Sequence, residues 1–279
     1  MSFYVFSAVL VAAFLHASWN VLVKLNIDRF LSLFLLQTLM GVMGLIMLLV
    51  FAWPSVASLP YALTSGILHT GYNLFLARSY RTGDLSVVYP VARGTAPLIT
   101  LASSYVFTHD SISPFATVGI LVLIAGIWLI ALGPSKAVKV DRSTLLFALG
   151  TSVFIGCYTV VDGLGGRASG APSGYTGLVF ILDAIFLFSA GLILRGPQIL
   201  RDVIPHWRNG VIGAAASGGA YWIVIWAMSV APIAMVAALR ETSILIAIGL
   251  SAKILNERLT ISRVAGAILV VVGAIALRA

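Results

Sequence analysis

The chain has 279 residues, of which 60% are hydrophobic and only 9% charged, and its mean hydropathy is +1.06. A soluble domain carries roughly 25% charged residues, so this composition excludes an ordinary water-soluble enzyme. The net charge of +8 would suit a nucleic-acid partner in a soluble protein, but basic residues in a membrane protein mark its cytoplasmic loops, and we expect no nucleic-acid partner.

Ten apolar segments follow one another along the chain. Each is about 20 residues long, enough to cross a ~30 Å hydrocarbon core at ~1.5 Å per residue. Turn-forming and charged residues separate them. The first segment lacks the basic start of a cleaved signal peptide, so we interpret it as a membrane span. The predicted spans are 3–23, 30–52, 59–80, 85–107, 112–132, 143–162, 174–195, 209–229, 232–254 and 260–278.

The two halves of the sequence repeat each other with a shift of 147 residues. Arg93 then aligns with Arg240, since 240 − 93 = 147, and the same shift places Gly119 on Gly266 and Gly126 on Gly273. The predicted domains are a first five-helix repeat, 1–134, and a second, 135–279. Five is an odd number, so the second repeat enters the membrane inverted, which is the plan of many transporters. The predicted fold class is therefore an all-α polytopic membrane protein with a 5+5 inverted repeat.

The distribution of the 17 basic residues supports ten spans. Thirteen of them lie in or beside the connections that follow spans 1, 3, 5, 7 and 9, whereas only Arg167 and Arg278 lie on the opposite side. The remaining two are Arg93 and Arg240, inside spans 4 and 9. By the positive-inside rule the thirteen face the cytoplasm, so both termini are predicted to lie outside, with the protein in a bacterial inner membrane.

Several segments resemble the drug/metabolite transporter superfamily, in its EamA-type branch. They are HASWNVLVK in span 1, SVVYPVARGTAPLI in span 4, the short turn and G-x6-G pattern of span 5, and the turn LNERL before span 10. The resemblance covers both halves. It implies a central cavity, alternating access and, usually, export. It also implies cytoplasmic termini, the reverse of the charge-based orientation.

Four charged residues lie in the interior of predicted spans, away from their ends: Arg93, Asp183, Arg240 and Glu241. A charge at a helix centre costs roughly 2.5–3.5 kcal/mol on insertion scales, so such groups usually pair and face a cavity. Arg93 and Arg240 are predicted at mid-depth, where guanidinium groups bind carboxylates or phosphates in a bidentate manner. The alternative is structural pairing with Glu241 or Asp183. Adjacent residues on a helix point about 100° apart, so Arg240 and Glu241 are expected to face different neighbours.

Polar and aromatic residues are the further candidates for contact with a solute. His16 and Asn20 share one face of span 1, and His69 and Asn73 share one face of span 3. Hydrogen bonding between helices is the alternative role for both pairs. The aromatic candidates, for which packing is the alternative, are Trp19, Tyr89, Tyr158, Tyr221 and Trp222. Asp162 falls at the end of a predicted span and is expected to be wet.

These features predict a secondary transporter of a small polar, zwitterionic or anionic metabolite. Glu241 and Asp183 are candidates for a coupling proton or for charge partners of the arginines. We expect a lipid bilayer and a small solute as partners, no cofactor, no metal and a monomer, with a dimer as the alternative. The chain lacks G-x-x-x-x-G-K-[ST] and H-E-x-x-H, which disfavours direct ATP use and zinc hydrolysis. The alternatives are a transporter of cationic or lipophilic drugs, a non-transporting scaffold or an intramembrane enzyme.

Overall fold

The computed structural model of the protein describes residues 1–23, 28–82, 85–132, 142–255 and 260–278, and these fold into a helical bundle. Short 3-10 turns, Val56–Ser58 and Ile204–His206, precede two of the helices. The α-helices are α1 (Phe3–Val23), α2 (Arg29–Val50), α3 (Leu59–Thr82), α4 (Leu85–Phe107), α5 (Pro114–Leu132), α6 (Arg142–Ser169), α7 (Pro172–Arg195), α8 (Ile199–Val203), α9 (Trp207–Val230), α10 (Ile233–Arg240), α11 (Ser243–Leu255) and α12 (Ile261–Ala276).

The predicted all-α fold class with ten spans is confirmed. Helices α1–α7, α9 and α12 each correspond to one predicted span, while α10 and α11 share the ninth. Among the described residues, four helical segments are long and apolar enough to cross a membrane: Phe30–Val50, Arg142–Ser169, Pro172–Arg195 and Ile199–Val230. Phe3–Trp19, Pro114–Ile130 and Ile261–Ala276 are shorter apolar helices. Large apolar side chains such as Leu49 and Ile193, 86% and 83% exposed, point outward, as contact with lipid requires.

Helix α6 continues to Ser169, seven residues beyond the predicted end of span 6 at residue 162. The glycine-rich stretch after Asp162, which we interpreted as a break, remains helical because its glycines permit close packing. A Cβ on Gly163 would collide with the Ile233 side chain, and one on Gly165 would collide with the Tyr175 ring. Small residues allow helices to approach closely in membranes. The expectation that Asp162 is wet is wrong: it is fully buried.

The helix pairs obey the two-fold relation that an inverted repeat requires. Helix α5 packs on α12 through glycines, with Gly126 against Gly266 and Gly119 against Gly273. The 147-residue shift relates Gly126 to Gly273 and Gly119 to Gly266, so exchanging the two repeats converts one of these contacts into the other. Other pairs behave in the same way: α3 packs on α6 as α1 packs on α9, and α2 packs on its counterpart α7. The bundle therefore has a pseudo-two-fold axis between the repeats.

An ion pair closes the end of the bundle at which α4, α6 and α9 finish. Arg167 Nη1 lies 2.8 Å from Asp110 Oδ1, in the connection between α4 and α5. The same guanidinium donates to the carbonyl oxygens of Met228 and Ala231, at 2.9 and 2.8 Å. Asp110 Oδ2 accepts the backbone N–H of Ile233 at 3.0 Å, at the start of α10. This closed end is stabilised by contacts between both repeats.

The α5–α12 contact predicts the effect of a small substitution. A Cβ on Gly126 would lie 2.6 Å from the Gly266 carbonyl oxygen, so Gly126→Ala must separate the helices. We expect a loss of about 1–3 kcal/mol in the free energy of unfolding, measured by denaturant titration in mixed micelles. Gly249→Ala is the matched control, because a Cβ there has no neighbour within 4 Å. Equal unfolding midpoints for the two variants would contradict the packing.

Candidate functional site

A cavity of about 70 Å³ lies at the centre of the bundle. The cavity extends as far as Leu33 toward the beginning of α2. Leu33 is four positions after the start of that helix, which corresponds to about 6 Å along its axis. The cavity therefore extends from mid-depth toward the side of the α1–α2 connection, away from the Arg167–Asp110 ion pair. Its wall consists of His16, Trp19, Leu33, Leu36, Gln37, Met40, His69, Tyr72, Asn73, Arg93, Tyr158, Val179, Phe180, Asp183, Ser217, Ala220, Tyr221, Val224 and Arg240.

Both predicted arginines contribute to this wall, and Glu241 lies between them. Arg93 Nε is 2.9 Å from Glu241 Oε2, and Arg240 Nη2 is 3.6 Å from Glu241 Oε1. The three residues are 6%, 4% and 2% exposed, so the cluster is almost completely removed from the surface. The structure thus contains the predicted ion pairing with Glu241 and also places both arginines at the cavity. Two cations against one carboxylate give the cluster a formal charge of +1.

The ninth span breaks at Glu241, which the sequence did not predict. Helix α10 ends at Arg240, and the backbone N–H groups of Glu241 and Thr242 bond three residues back, to Ala238 and Leu239, instead of four. The Thr242 hydroxyl also donates to the Leu239 carbonyl oxygen at 2.7 Å, a side-chain bond that competes with helical pairing. The expectation that Arg240 and Glu241 face different neighbours is wrong: at this turn Arg240 Nη2 lies 3.6 Å from Glu241 Oε1, and Glu241 also contacts Arg93.

A second buried carboxylate, Asp183 of α7, also lines the cavity. Its Oδ2 accepts a hydrogen bond from the side-chain amide of Gln37 on α2. Its Oδ1 has no hydrogen-bond partner in the part of the chain that the structure describes. Asp183 is therefore a buried carboxylate in the cavity wall whose hydrogen-bond partner, Gln37, is neutral. Gln37 was not among the predicted site residues.

Aromatic rings form one side of the cavity. His69 stacks on Tyr158 with ring centroids 3.9 Å apart, and it meets Tyr221 edge to face at 5.5 Å. The His69 ring is fixed by Ser65, whose hydroxyl and carbonyl oxygens both lie 3.1 Å from Nδ1. One turn further along α3, Asn73 also lines the cavity, and its amide nitrogen has no partner among the described groups.

Below these rings lies a buried network around Asp162. Its Oδ1 accepts a hydrogen bond from the Tyr175 hydroxyl at 3.2 Å, and its Oδ2 accepts one from the Tyr221 hydroxyl. Tyr221 belongs to both groups, because its ring also lines the cavity. Neither Asp162 nor Tyr175 was a predicted site residue. Because the glycines after Asp162 indicated a loop, Asp162 was expected at a wet helix end and its buried hydrogen bonds were not predicted.

The remaining predicted residues are distributed as follows. His16 and Trp19 line the cavity, with Trp19 Nε1 donating to His16 Nδ1 at 3.3 Å. Trp222 lies outside the cavity wall and donates to the Ser173 hydroxyl at 2.9 Å. Asn20 and Tyr89 lie in α1 and α4, but their side chains are outside the described residues.

The composition of the cavity suits recognition of a small charged solute. Guanidinium groups bind carboxylate or phosphate oxygens, whereas the Asp183 carboxylate suits a cationic group. Among the described residues, no group of three or more histidine, cysteine, aspartate or glutamate side chains is placed to hold a metal ion.

An inverted repeat of ten spans around a cavity with buried charges is the architecture of a secondary transporter. The model of the EamA-like transporter family matches residues 4–132 and again residues 142–279. The chain therefore belongs to the EamA-like transporter family, within the drug/metabolite transporters, and is an integral membrane protein. A solved crystal structure shares the fold with a TM-score of 0.79 and 16% identity, covering 99% of this chain and 96% of that one. No curated protein matches the chain significantly.

Proposed function

We propose that this transporter moves a small polar solute that carries a carboxylate or phosphonate group, by alternating access, and that it works as an exporter. The observation that supports the proposal is the buried cluster of Arg93, Arg240 and Glu241 at the cavity. Its formal charge of +1 attracts an anionic group and opposes a lipophilic cation.

Asp183 supports a zwitterionic solute over a simple anion. This carboxylate belongs to the cavity wall, and the Gln37 amide bonds one of its oxygens while the other has no hydrogen-bond partner among the described residues. A cationic group on the solute would compensate this charge as the arginines hold the anionic group. Glu241 already lies between two guanidinium groups, which supports a role as their charge partner and disfavours one as a mobile proton carrier.

A binding screen with arginine variants tests this assignment. Purified protein is screened by thermal shift against carboxylates, phosphonates, zwitterions and quaternary ammonium compounds, and the best ligand is then used for counterflow in proteoliposomes. We expect a carboxylate-bearing or phosphonate-bearing ligand to stabilise the wild type. Arg240→Gln should weaken its binding by about tenfold or more, because a charge-assisted hydrogen bond contributes about 1.5–3 kcal/mol.

Arg201→Gln is the matched control, since Arg201 is an exposed arginine on the short helix α8. It should bind the ligand like the wild type. The proposal fails if the best ligand binds Arg240→Gln and Arg93→Gln as tightly as the wild type. It also fails if quaternary ammonium compounds are the ligands that exchange.

We further propose that the protein lies in a bacterial inner membrane with both termini outside, so that the cavity faces the cytoplasm. The excess of basic residues beside the connections after spans 1, 3, 5, 7 and 9 supports this orientation. A C-terminal epitope tag in spheroplasts should be digested by external protease. A tag protected until the membrane is lysed would reverse the orientation and place the cavity on the outer side.

A further inference from the structure

We propose that Asp162 is a proton-binding site and that Tyr221 links its protonation to the solute in the cavity. The proposal deepens the transport function above, on which its solute-dependent part rests. It begins from an unusual group: a carboxylate of α6 at 0% exposure that accepts hydrogen bonds from the neutral hydroxyl groups of Tyr175 and Tyr221.

The partners of the buried carboxylates distinguish their roles. Glu241 lies between Arg93 and Arg240, so its ionised form is compensated by two cations. Asp162 takes part in no ion pair recorded for the described residues, and its polar neighbours are the hydroxyls of Tyr175, Tyr221 and Ser65. Arginine stays protonated at ordinary pH, so the two positive charges beside Glu241 are permanent. At Asp162, hydroxyl groups can solvate either the carboxylate or the neutral acid, since each can donate or accept.

The position of Asp162 suits a proton site between the two faces of the membrane. It lies four residues after Tyr158, which lines the cavity, and five before Arg167, which closes the opposite end. Along α6 these separations correspond to about 6 Å and about 7.5 Å. Asp162 itself is fully buried and contacts the cavity only through Tyr221, so opening at the Arg167–Asp110 ion pair would expose it to the opposite side.

The hydrogen bonds supply a link between the proton and the solute. When Asp162 is ionised, Tyr175 donates to Oδ1 and Tyr221 donates to Oδ2. A proton taken from water and bound at Oδ2 makes that oxygen a donor, so the Tyr221 oxygen must accept. The Tyr221 hydroxyl group then rotates so that its hydrogen points toward the cavity, where it can donate a hydrogen bond to an acceptor oxygen of the solute. Proton binding and solute binding consequently favour each other, as linkage requires.

Other charged and titratable groups face this region from the helices packed around α6. Arg240 is the cation whose field reaches Asp162, but Glu241 offsets part of its charge. Among the described residues these groups include Tyr61 and His69 on α3, Arg93 on α4, Tyr158 and Arg167 on α6 itself, Tyr175 and Asp183 on α7, Tyr221 on α9, and Arg240 and Glu241 where α10 ends.

Infrared difference spectroscopy tests proton binding without any solute. Spectra of the full-length protein in buffers of about pH 5.5 and about pH 9, where exposed carboxyl groups stay ionised, should differ by the C=O band of a buried protonated carboxyl group. We expect a component of this band that is retained in Asp183→Asn and lost in Asp162→Asn. Absence of the band in the wild type, or a band in Asp162→Asn identical to that of the wild type, overturns the proposal.

Two tyrosine variants test the link to the solute and remain decisive if Asp162→Asn does not fold. The affinity of the wild type for the ligand found in the screen should rise by about tenfold from alkaline to acidic buffer. Tyr221→Phe should abolish this pH dependence. Tyr175→Phe should retain it, because Tyr175 also bonds Asp162 but does not line the cavity. If Tyr175→Phe lost the pH dependence of ligand affinity and Tyr221→Phe retained it, the assignment would be overturned. This holds even if counterflow shows that both variants still transport the ligand.

Discussion

The contact of Arg93 and Arg240 with Glu241 is the interaction on which the centre of this protein depends. Arg93 comes from α4 in the first repeat, whereas Arg240 and Glu241 come from the equivalent span of the second. An uncompensated guanidinium inside a bilayer is costly, so neither arginine is stable at this depth without the carboxylate. The cluster therefore joins the two repeats near their pseudo-two-fold axis and leaves one positive charge beside the cavity.

The two ends of the bundle differ although the repeats share one plan. At the closed end, Arg167 and Asp110 join the α4–α5 and α9–α10 connections. The position 147 residues before Arg167 is Asn20, so the sequence does not duplicate this arginine. The cavity opens from mid-depth toward the other side. An inverted repeat can in principle close the bundle in a similar way at either end. Local sequence divergence such as that at Arg167 makes closure at one end more stable than closure at the other.

The features that sequence predicts best here depend on local pattern. Apolar length identifies the spans, and the 147-residue shift places Arg93 on Arg240 and pairs the glycines of α5 and α12. The features it missed depend on distant contacts. No proline or glycine marks the break at Glu241, because that turn accompanies an ion pair with a residue 148 positions away (241 − 93 = 148). Gln37 and Asp183 are 146 positions apart in the sequence. The glycines after Asp162 suggested a loop, but in the structure they allow a continuous helix to pack closely against its neighbours.

A double-mutant cycle on Arg93 and Glu241 tests the central ion pair most directly. The free energy of unfolding is measured in mixed micelles for the wild type, Arg93→Met, Glu241→Met and the double variant. Glu241→Met should cost about 3–5 kcal/mol, because it leaves the buried Arg93 and Arg240 without their carboxylate. Arg93→Met should cost less, because Glu241 keeps Arg240 as its partner. The double variant should be more stable than additivity predicts by at least about 1 kcal/mol. Additive losses would contradict the account, because the two side chains would then stabilise the protein independently.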